Sequence, residues 1–370
     1  MTALTTALHV PPELAAAEPP EERGLARDEV RLLVAEPARP LRHLRFRDLP
    51  SALRPGDLLV LNTSDTEPAA VDGRRADGRP VAVHVSGPAR EDPGWVVELR
   101  TDDGERVRDG RAGERVALPG GATAHLRAAH PDPAVAVGSR LWLAEFHTPG
   151  FDTTGFDSGA ALPAYLRAVG RPISYSYLAR RRALPVHRTV HAEPDGDFAS
   201  AEMPSAGRPV SGAVLDGLRA RGVRVARVVL HTGVSSPEAG EVPLPERYAV
   251  PADAAAAVHA TRSAGGRVVA VGTTVTRALE TVADGAGRVR PGSGWTDLVL
   301  GPDRPARVVD GLVTGWHEPR ASHLLLLEAV AGAELVDRAY AAAVERGYLW
   351  HEFGDSCLLL PEPIPVRRGR

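Results

Sequence analysis

The 370-residue chain contains no lysine, so every basic side chain is Arg or His. With Ala, Gly, Pro and Arg abundant and Ile scarce, this absence reads as codon bias and carries no functional signal. Cysteine is almost missing too. Cys357 is the only one, which excludes an internal disulfide and any multi-cysteine metal site. It follows Gly-Asp-Ser and precedes Leu-Leu-Leu, the setting of a buried structural thiol and not of a nucleophile. No apolar run approaches the ~20 residues of a membrane span. The N-terminus lacks the basic start and apolar core of a secretory signal, so a cytoplasmic protein without a membrane partner is expected. The formal net charge of −3 gives no global field that favours nucleic acid, although a local basic face is compatible with it.

What the chain does contain centres on Arg267 to Glu280. Val268 to Val271 form a short run rich in β-branched residues, as in a strand buried on both faces. Gly272 breaks the run. Thr273 and Thr274 can each accept a hydrogen bond from a free backbone N–H, so either suits a helix cap. Val275, Ala278 and Leu279 give that helix an apolar face. Free N–H groups at such a turn suit a carboxylate or phosphate, and Arg277 lies about one turn further on. Any α/β protein contains turns of this kind, so the local pattern alone leaves a structural role open.

Taken in order, residues 1–22 are rich in Ala, Pro and Glu and read as a flexible arm. Arg31 to Val34 read as a strand. Pro55-Gly56 is a turn before the apolar strand that ends at Asn62. From about Val71 to Leu143, short alternating segments such as Val81–Val85, Trp95–Leu99 and Arg115–Leu118 sit between Gly, Pro and Asp clusters. They read as a small antiparallel β-domain, a barrel or a plain set of hairpins. Arg180, Arg181 and Arg182 form a basic run of the kind that usually lies in solvent. His187 and His191 stand at i and i+4, but no Glu follows the first and no third ligand is evident, so no metal site is expected. Leu215 to Arg221 read as a short helix ended by Gly222, with a strand over Val223 to Leu230. His231 then sits at a strand end before Thr232-Gly233, open to a site role or a structural one. Ser322 to Val330 read as an apolar helix, with Tyr340 on the next.

Several of these stretches carry a resemblance. Val271-Gly-Thr-Thr-Val-Thr-Arg-Ala-Leu-Glu280 resembles the signature of the S-adenosylmethionine:tRNA ribosyltransferase-isomerase family of queuosine biosynthesis. Pro55 to Asn62 resembles its "pGDlLVlN" motif, with Asp65 and Ala70 in the places of two later arginines. Leu162 to Arg167 resembles "LPpYi.R". Pro204 to Ser211 resembles "PTAGLHFT": Ala206 and Gly207 agree, Ser205 and Ser211 replace threonines, and Pro209 replaces the His. His187 and His191 stand where the family has Tyr. Leu230 to Gly233 resembles "LHvG", and Val308 to Pro319 resembles "vD.LiTNFHLP" with His317 kept. Gly354 and Asp355 match the C-terminal motif, whereas His351 and Glu352 do not. The agreement runs from about residue 40 to 360 in one order.

The resemblance implies an α/β main domain, over 23–70 and 150–370, with a small antiparallel β-barrel inserted over 71–149. It implies a site at strand ends and helix starts facing the cleft between them. It also implies a reaction in which the ribosyl part of S-adenosylmethionine is transferred and isomerised onto 7-aminomethyl-7-deazaguanine in tRNA, giving epoxyqueuosine. S-adenosylmethionine is then a substrate and no cofactor is needed. Such chemistry needs a base beside the sulfonium, help for adenine departure and a pocket for the methionine carboxylate. His317 is the acid/base candidate, since neutral imidazole accepts a proton near neutral pH. Asp355 is the candidate to orient the base or hold a ribose hydroxyl. Thr273, Thr274 and Arg277 are the candidates for the carboxylate, with His231, Ser205 and Gly207 as further contacts. The Arg180–Arg182 run and the tail residues Arg367, Arg368 and Arg370 are the candidates for RNA phosphate. Two other readings remain: a diverged transferase or lyase with a small-molecule acceptor, and a non-catalytic binding protein of the same fold.

Overall fold

A computed structural model describes residues 9–151, 158–194, 197–234, 243–318 and 322–362. Three strands open the main sheet: β1 (Arg31–Ala35), β2 (Arg42–Arg45) and β3 (Leu58–Asn62). The chain then leaves the sheet and builds β4 (Ala70–Arg75), β5 (Pro80–Pro88), β6 (Trp95–Arg100), β7 (Arg115–Ala117), β8 (Thr123–His130) and β9 (Leu141–His147). These six close into a barrel in the order β4-β5-β6-β9-β8-β7, with antiparallel pairing throughout. Closure leaves no free strand edge. Alternation along the strands fills the interior with Val83, Val97, Val116, Leu126 and Trp142. Gly110 packs closely on Trp142, and a Cβ there would lie 3.1 Å from the indole nitrogen.

The chain returns to the sheet with β10 (Arg224–Leu230), β11 (Glu246–Val250), β12 (Val268–Val271), β13 (Gly292–Thr296), β14 (Gly311–Gly315) and β15 (Ser356–Leu359). The nine strands run β13-β11-β10-β3-β12-β14-β15-β1-β2. The four central strands β10, β3, β12 and β14 are parallel. Helices cover both faces, which explains the apolar runs: every residue of Leu58–Asn62 and of Val268–Val271 is buried. One face packs against α1 (Leu49–Ala52) and α3 (Gly212–Ala220); α2 (Ser158–Val169) packs against the barrel instead. The other face packs against α4 (Ala252–Ser263), α5 (Gly272–Thr281), α6 (Ser322–Ala331) and α7 (Ala333–Glu345). The architecture is therefore α/β with an inserted closed antiparallel barrel.

The N-terminal segment departs from its reading as a flexible arm. Pro12–Leu14 and Pro20–Arg23 form 3-10 turns, started by prolines that fix the backbone. Ala16 is buried beside Met203 and Phe353, and the Ala16 and Trp350 backbones exchange hydrogen bonds with their neighbours across the gap. Composition misses this because the stabilising partners lie at the far end of the chain. Residues 1–8 lie outside the described residues. Cys357 is buried in β15, and burial pushes its thiol pKa well up. Among the described residues no helix is long and apolar enough to cross a membrane.

Candidate active site

The parallel strands β3, β10, β12 and β14 end at one rim of the sheet, and the barrel stands over that rim. Between them lies a cleft of ≈ 400 Å³, within the range of small-molecule sites. Its floor is the turn from β12 into α5. Gly272 has φ +91°, and a Cβ there would lie 3.4 Å from the Ala206 methyl group, so glycine suits both the backbone and the close approach. Neither Thr273 nor Thr274 caps the helix, contrary to the sequence reading. The helix starts at Gly272, one residue earlier, and no side chain caps it. The uncapped first turn lines the cleft, with the N–H groups that an anion would meet. Asn62, at the end of β3, steadies this turn. Its Nδ2 donates to Thr274 Oγ1 at 3.3 Å and to Leu230 O at 2.8 Å.

Arg277 lines the same wall but is not a free cation. Its guanidinium pairs with Glu246 from β11 and donates to the carbonyls of Leu298 at 3.1 Å and Thr296 at 3.2 Å. Burial raises the Glu246 pKa, with Arg277 opposing the rise. Arg277 thus shapes the site through Glu246, a partner that local sequence gave no reason to name.

His317 follows β14 and faces the cleft. Its Nε2 lies 3.0 Å from Thr314 Oγ1, and its backbone N–H donates to Tyr340 Oη at 3.3 Å. Its ring stacks on His323 of α6, with centroids 4.5 Å apart and planes 4° from parallel. Burial, then the nearby His323 and His351, hold the His317 pKa well below the ordinary imidazole value. Burial lowers His323 to about 4. Both rings are therefore neutral at physiological pH, the form able to accept a proton.

An aromatic row lines the same cleft. Tyr177 stacks on His351 at 4.4 Å and on Tyr175 at 6.1 Å. The Tyr175 hydroxyl donates to Glu202, and the Arg100 guanidinium sits 5.1 Å from the Tyr175 ring centre. Arg100 and Arg140 reach the cleft from the barrel, and both pair with the fully buried Glu98. The neutral imidazoles and the aromatic rings suit a cationic ligand, and the helix start suits an anionic group on the same ligand.

The other sequence candidates divide. Ser205 and Ala206 line the cleft. Gly207 stands beside them, where a Cβ would lie 3.0 Å from His191 Nε2, so this glycine makes room for an imidazole. His231 lies away from the cleft, beside a smaller cavity of ≈ 60 Å³, with Nδ1 2.8 Å from Ser64 Oγ. Asp355 lines a neighbouring small cavity together with Ser205, His351 and Glu352. Its carboxylate accepts from the Arg31 backbone at 2.7 Å, the Arg31 side chain at 2.9 Å and the Leu349 backbone at 2.8 Å, which fastens β1 to the C-terminal turn.

The departures from the family motifs have partners of their own. Asp65 pairs with Arg188 at 2.9 Å, and Ala70 is fully buried in the barrel. His187 ends a 3-10 turn and packs on Phe353, while His191 lies beyond it, so the two do not share a helix face. No group of His, Cys, Asp and Glu among the described residues could hold a metal ion. Arg180 and Arg182 pair with Glu22, and Arg181 with Asp72 and Asp102. The tail arginines Arg367, Arg368 and Arg370 lie outside the described residues. Sequence reasoning missed Glu246, Tyr175, Tyr177 and His323. Of these, His323 carried a signal: an imidazole at the start of an otherwise apolar helix.

Comparison with known proteins agrees with this architecture. A family model described as queuosine biosynthesis protein matches residues 6–359. The S-adenosylmethionine:tRNA ribosyltransferase-isomerase of Symbiobacterium thermophilum is 36% identical, over 95% of this chain and 97% of its own. That of Acidiphilium cryptum is also 36% identical, with the same coverage of 95% and 97%. The crystal structure of an S-adenosylmethionine tRNA ribosyltransferase from Thermotoga maritima is 28% identical, with a TM-score of 0.50 over 95% of this chain and 99% of that one. Matches of this length and identity show the family: the chain belongs to the S-adenosylmethionine:tRNA ribosyltransferase-isomerases.

Proposed function

We propose that this protein transfers and isomerises the ribosyl part of S-adenosylmethionine onto 7-aminomethyl-7-deazaguanine in tRNA, giving epoxyqueuosine in the cytoplasm. The observation that carries the reading is the pairing, in one cleft, of an uncapped helix start with neutral imidazoles. S-adenosylmethionine carries a carboxylate and a sulfonium, and the two features of the cleft suit one each. The Thr273–Thr274 turn takes the carboxylate, an interaction worth about 0.3–2 kcal/mol from the helix dipole. Glu246 stays with Arg277 and fixes the wall next to that turn. The cation meets no unpaired arginine among the described residues of the cleft: Arg100, Arg140 and Arg277 all have carboxylate partners.

His317 is the base in this reading. Its ring is neutral, and Thr314 fixes its orientation. A neutral imidazole removes the proton beside the sulfonium, which is acidified by the adjacent positive charge. S-adenosylmethionine is consumed as a substrate, so the reaction requires no resident cofactor.

A small-molecule acceptor remains as a second reading, and one observation favours it. Asp65 stands where the family motif has an arginine, and the Arg180–Arg182 run is spent on Glu22, Asp72 and Asp102. Incubation with S-adenosylmethionine, with and without precursor-bearing tRNA, separates the readings. Adenine and methionine released only with tRNA is the expected result. Release without tRNA supports the small-molecule acceptor, and no release in either mixture removes the catalytic readings.

A further inference from the structure

We infer that Glu352 binds a primary ammonium group of a substrate in the cleft, an inference that rests on the function proposed above. Neither His351 nor Glu352 matches the family motif, so the inference concerns this chain's own cleft. Placement comes first. The turn between α7 and β15 carries both residues into the cleft. That turn is tightly held. The Asp355 carboxylate accepts from the Leu349 backbone at 2.8 Å, and a Cβ on Gly354 would collide with the Leu349 carbonyl oxygen. His351 has φ 70°, a left-handed backbone that residues other than glycine rarely adopt. Conformations of this kind persist where the surrounding structure fixes them, and they gather at ligand sites.

Four glutamates line the cleft, and three are already satisfied. Glu202 accepts from the Tyr175 hydroxyl, and Glu246 pairs with Arg277. Glu318 is 60% exposed, so water solvates it. The Glu352 side chain is only 18% exposed, yet it makes no hydrogen bond to any described residue. His187 Nδ1 stands 3.8 Å away, beyond hydrogen-bond reach. Arg208, whose charge reaches Glu352, is held by Glu21 at 2.9 Å and by the Val186 carbonyl at 3.1 Å. A largely buried carboxylate without a donor costs free energy, and a ligand that brings N–H groups removes that cost.

A primary ammonium supplies what is missing. An ionised carboxylate only accepts hydrogen bonds, and a sulfonium has no N–H to donate. Both substrates of the proposed reaction carry a primary amine: the α-amino group of S-adenosylmethionine and the aminomethyl group of the acceptor. Tyr177, stacked on His351 at 4.4 Å, adds an aromatic face of the kind that attracts cations. Burial first, then the Glu352 charge, raises the Tyr177 hydroxyl pKa, which puts the field of the carboxylate at that ring. Ser205 and Ala206 join Glu352 to the helix start. They line the small cavity with Glu352, and the Ala206 methyl group lies 3.4 Å from where a Cβ on Gly272 would stand.

The test uses the full-length protein, Glu352→Gln and two matched pairs of ligands, with affinities measured by calorimetry. One pair is S-adenosylmethionine and its analogue without the α-amino group. The other is tRNA bearing 7-aminomethyl-7-deazaguanine and the same tRNA bearing guanine. In one pair the wild type should prefer the amine-bearing ligand by about ten-fold or more, and Glu352→Gln should remove that preference. The pair affected identifies which substrate brings the ammonium. The ligand without the amine should bind wild type and Glu352→Gln alike, which shows that the fold is intact. Glu352→Asp keeps the charge and should retain part of the preference. A wild type without preference in either pair, or a preference that survives Glu352→Gln, overturns the inference. So does an equal loss for both members of a pair, which would make Glu352 structural or a reader of the guanine edge. All of these are binding measurements. A protein that binds as expected yet releases no adenine with precursor-bearing tRNA overturns the proposed function and leaves the ammonium site standing.

Discussion

The Arg277 guanidinium is bound to the Glu246 carboxylate in the wall of the cleft, and both side chains are largely shielded from solvent. The pair links α5 to β11, so its first duty is to the fold. Arg277→Ala leaves a buried carboxylate without its cation, which costs about 3–5 kcal/mol. The double variant Arg277→Met with Glu246→Gln should recover part of that loss, because no charge is stranded. Chemical denaturation checks both. Full stability in Arg277→Ala, with S-adenosylmethionine binding lost, would show that Arg277 holds ligand directly.

His317→Ala should remove turnover while leaving S-adenosylmethionine bound. A positioned acid or base contributes about 100- to 10,000-fold in rate. Single-turnover kinetics and calorimetry separate the two effects. Near-normal turnover would reduce His317 to a packing partner of Tyr340 and Thr314.

Stability should also depend on pH through His191, which burial lowers to about 4 from the ordinary 6.5. The folded state therefore holds this ring neutral, and the unfolded state binds the proton first. The contribution is complete above the unfolded value and is lost as pH falls from 6.5 toward 4, by about 3 kcal/mol at the lower end. His191→Gln should flatten the stability curve across that window. An unchanged slope would mean that His191 is solvated in the folded protein.

RNA binding should be weakly salt-dependent for a tRNA-modifying protein, because the three arginines at 180–182 already have carboxylate partners. Asp65→Arg should tighten tRNA binding and steepen the salt slope by about one unit if residue 65 faces phosphate. A steep slope in the wild type, flattened by replacing Arg180, Arg181 and Arg182, would reverse this view of the surface.

Some of this was legible in the sequence, for definable reasons. Val268–Val271 and Leu58–Leu61 read as buried strands because burial on both faces removes polar residues from the run. The barrel was legible from its period-two segments and turn residues. The strand-turn-helix at Gly272 located the cleft floor. What stayed hidden was pairing across sequence distance. Glu246 meets Arg277 from 31 residues away, and Arg31 meets Asp355 from 324, and no local pattern reports either contact. Asp355 looked available because its motif matched; its three donors come from β1 and the turn after α7. His323 was hidden by the apolar residues that follow it, which mark α6 as a core helix and draw attention away from its first turn.

Nucleoside analysis by mass spectrometry tests the central claim most directly. Precursor-bearing tRNA is incubated with S-adenosylmethionine and the protein, digested to nucleosides, and compared with the same reaction run with His317→Ala. The expected result is conversion of the 7-aminomethyl-7-deazaguanine nucleoside to epoxyqueuosine in the wild type and its loss in the variant. Unchanged precursor in a wild-type reaction that still consumes S-adenosylmethionine would contradict it.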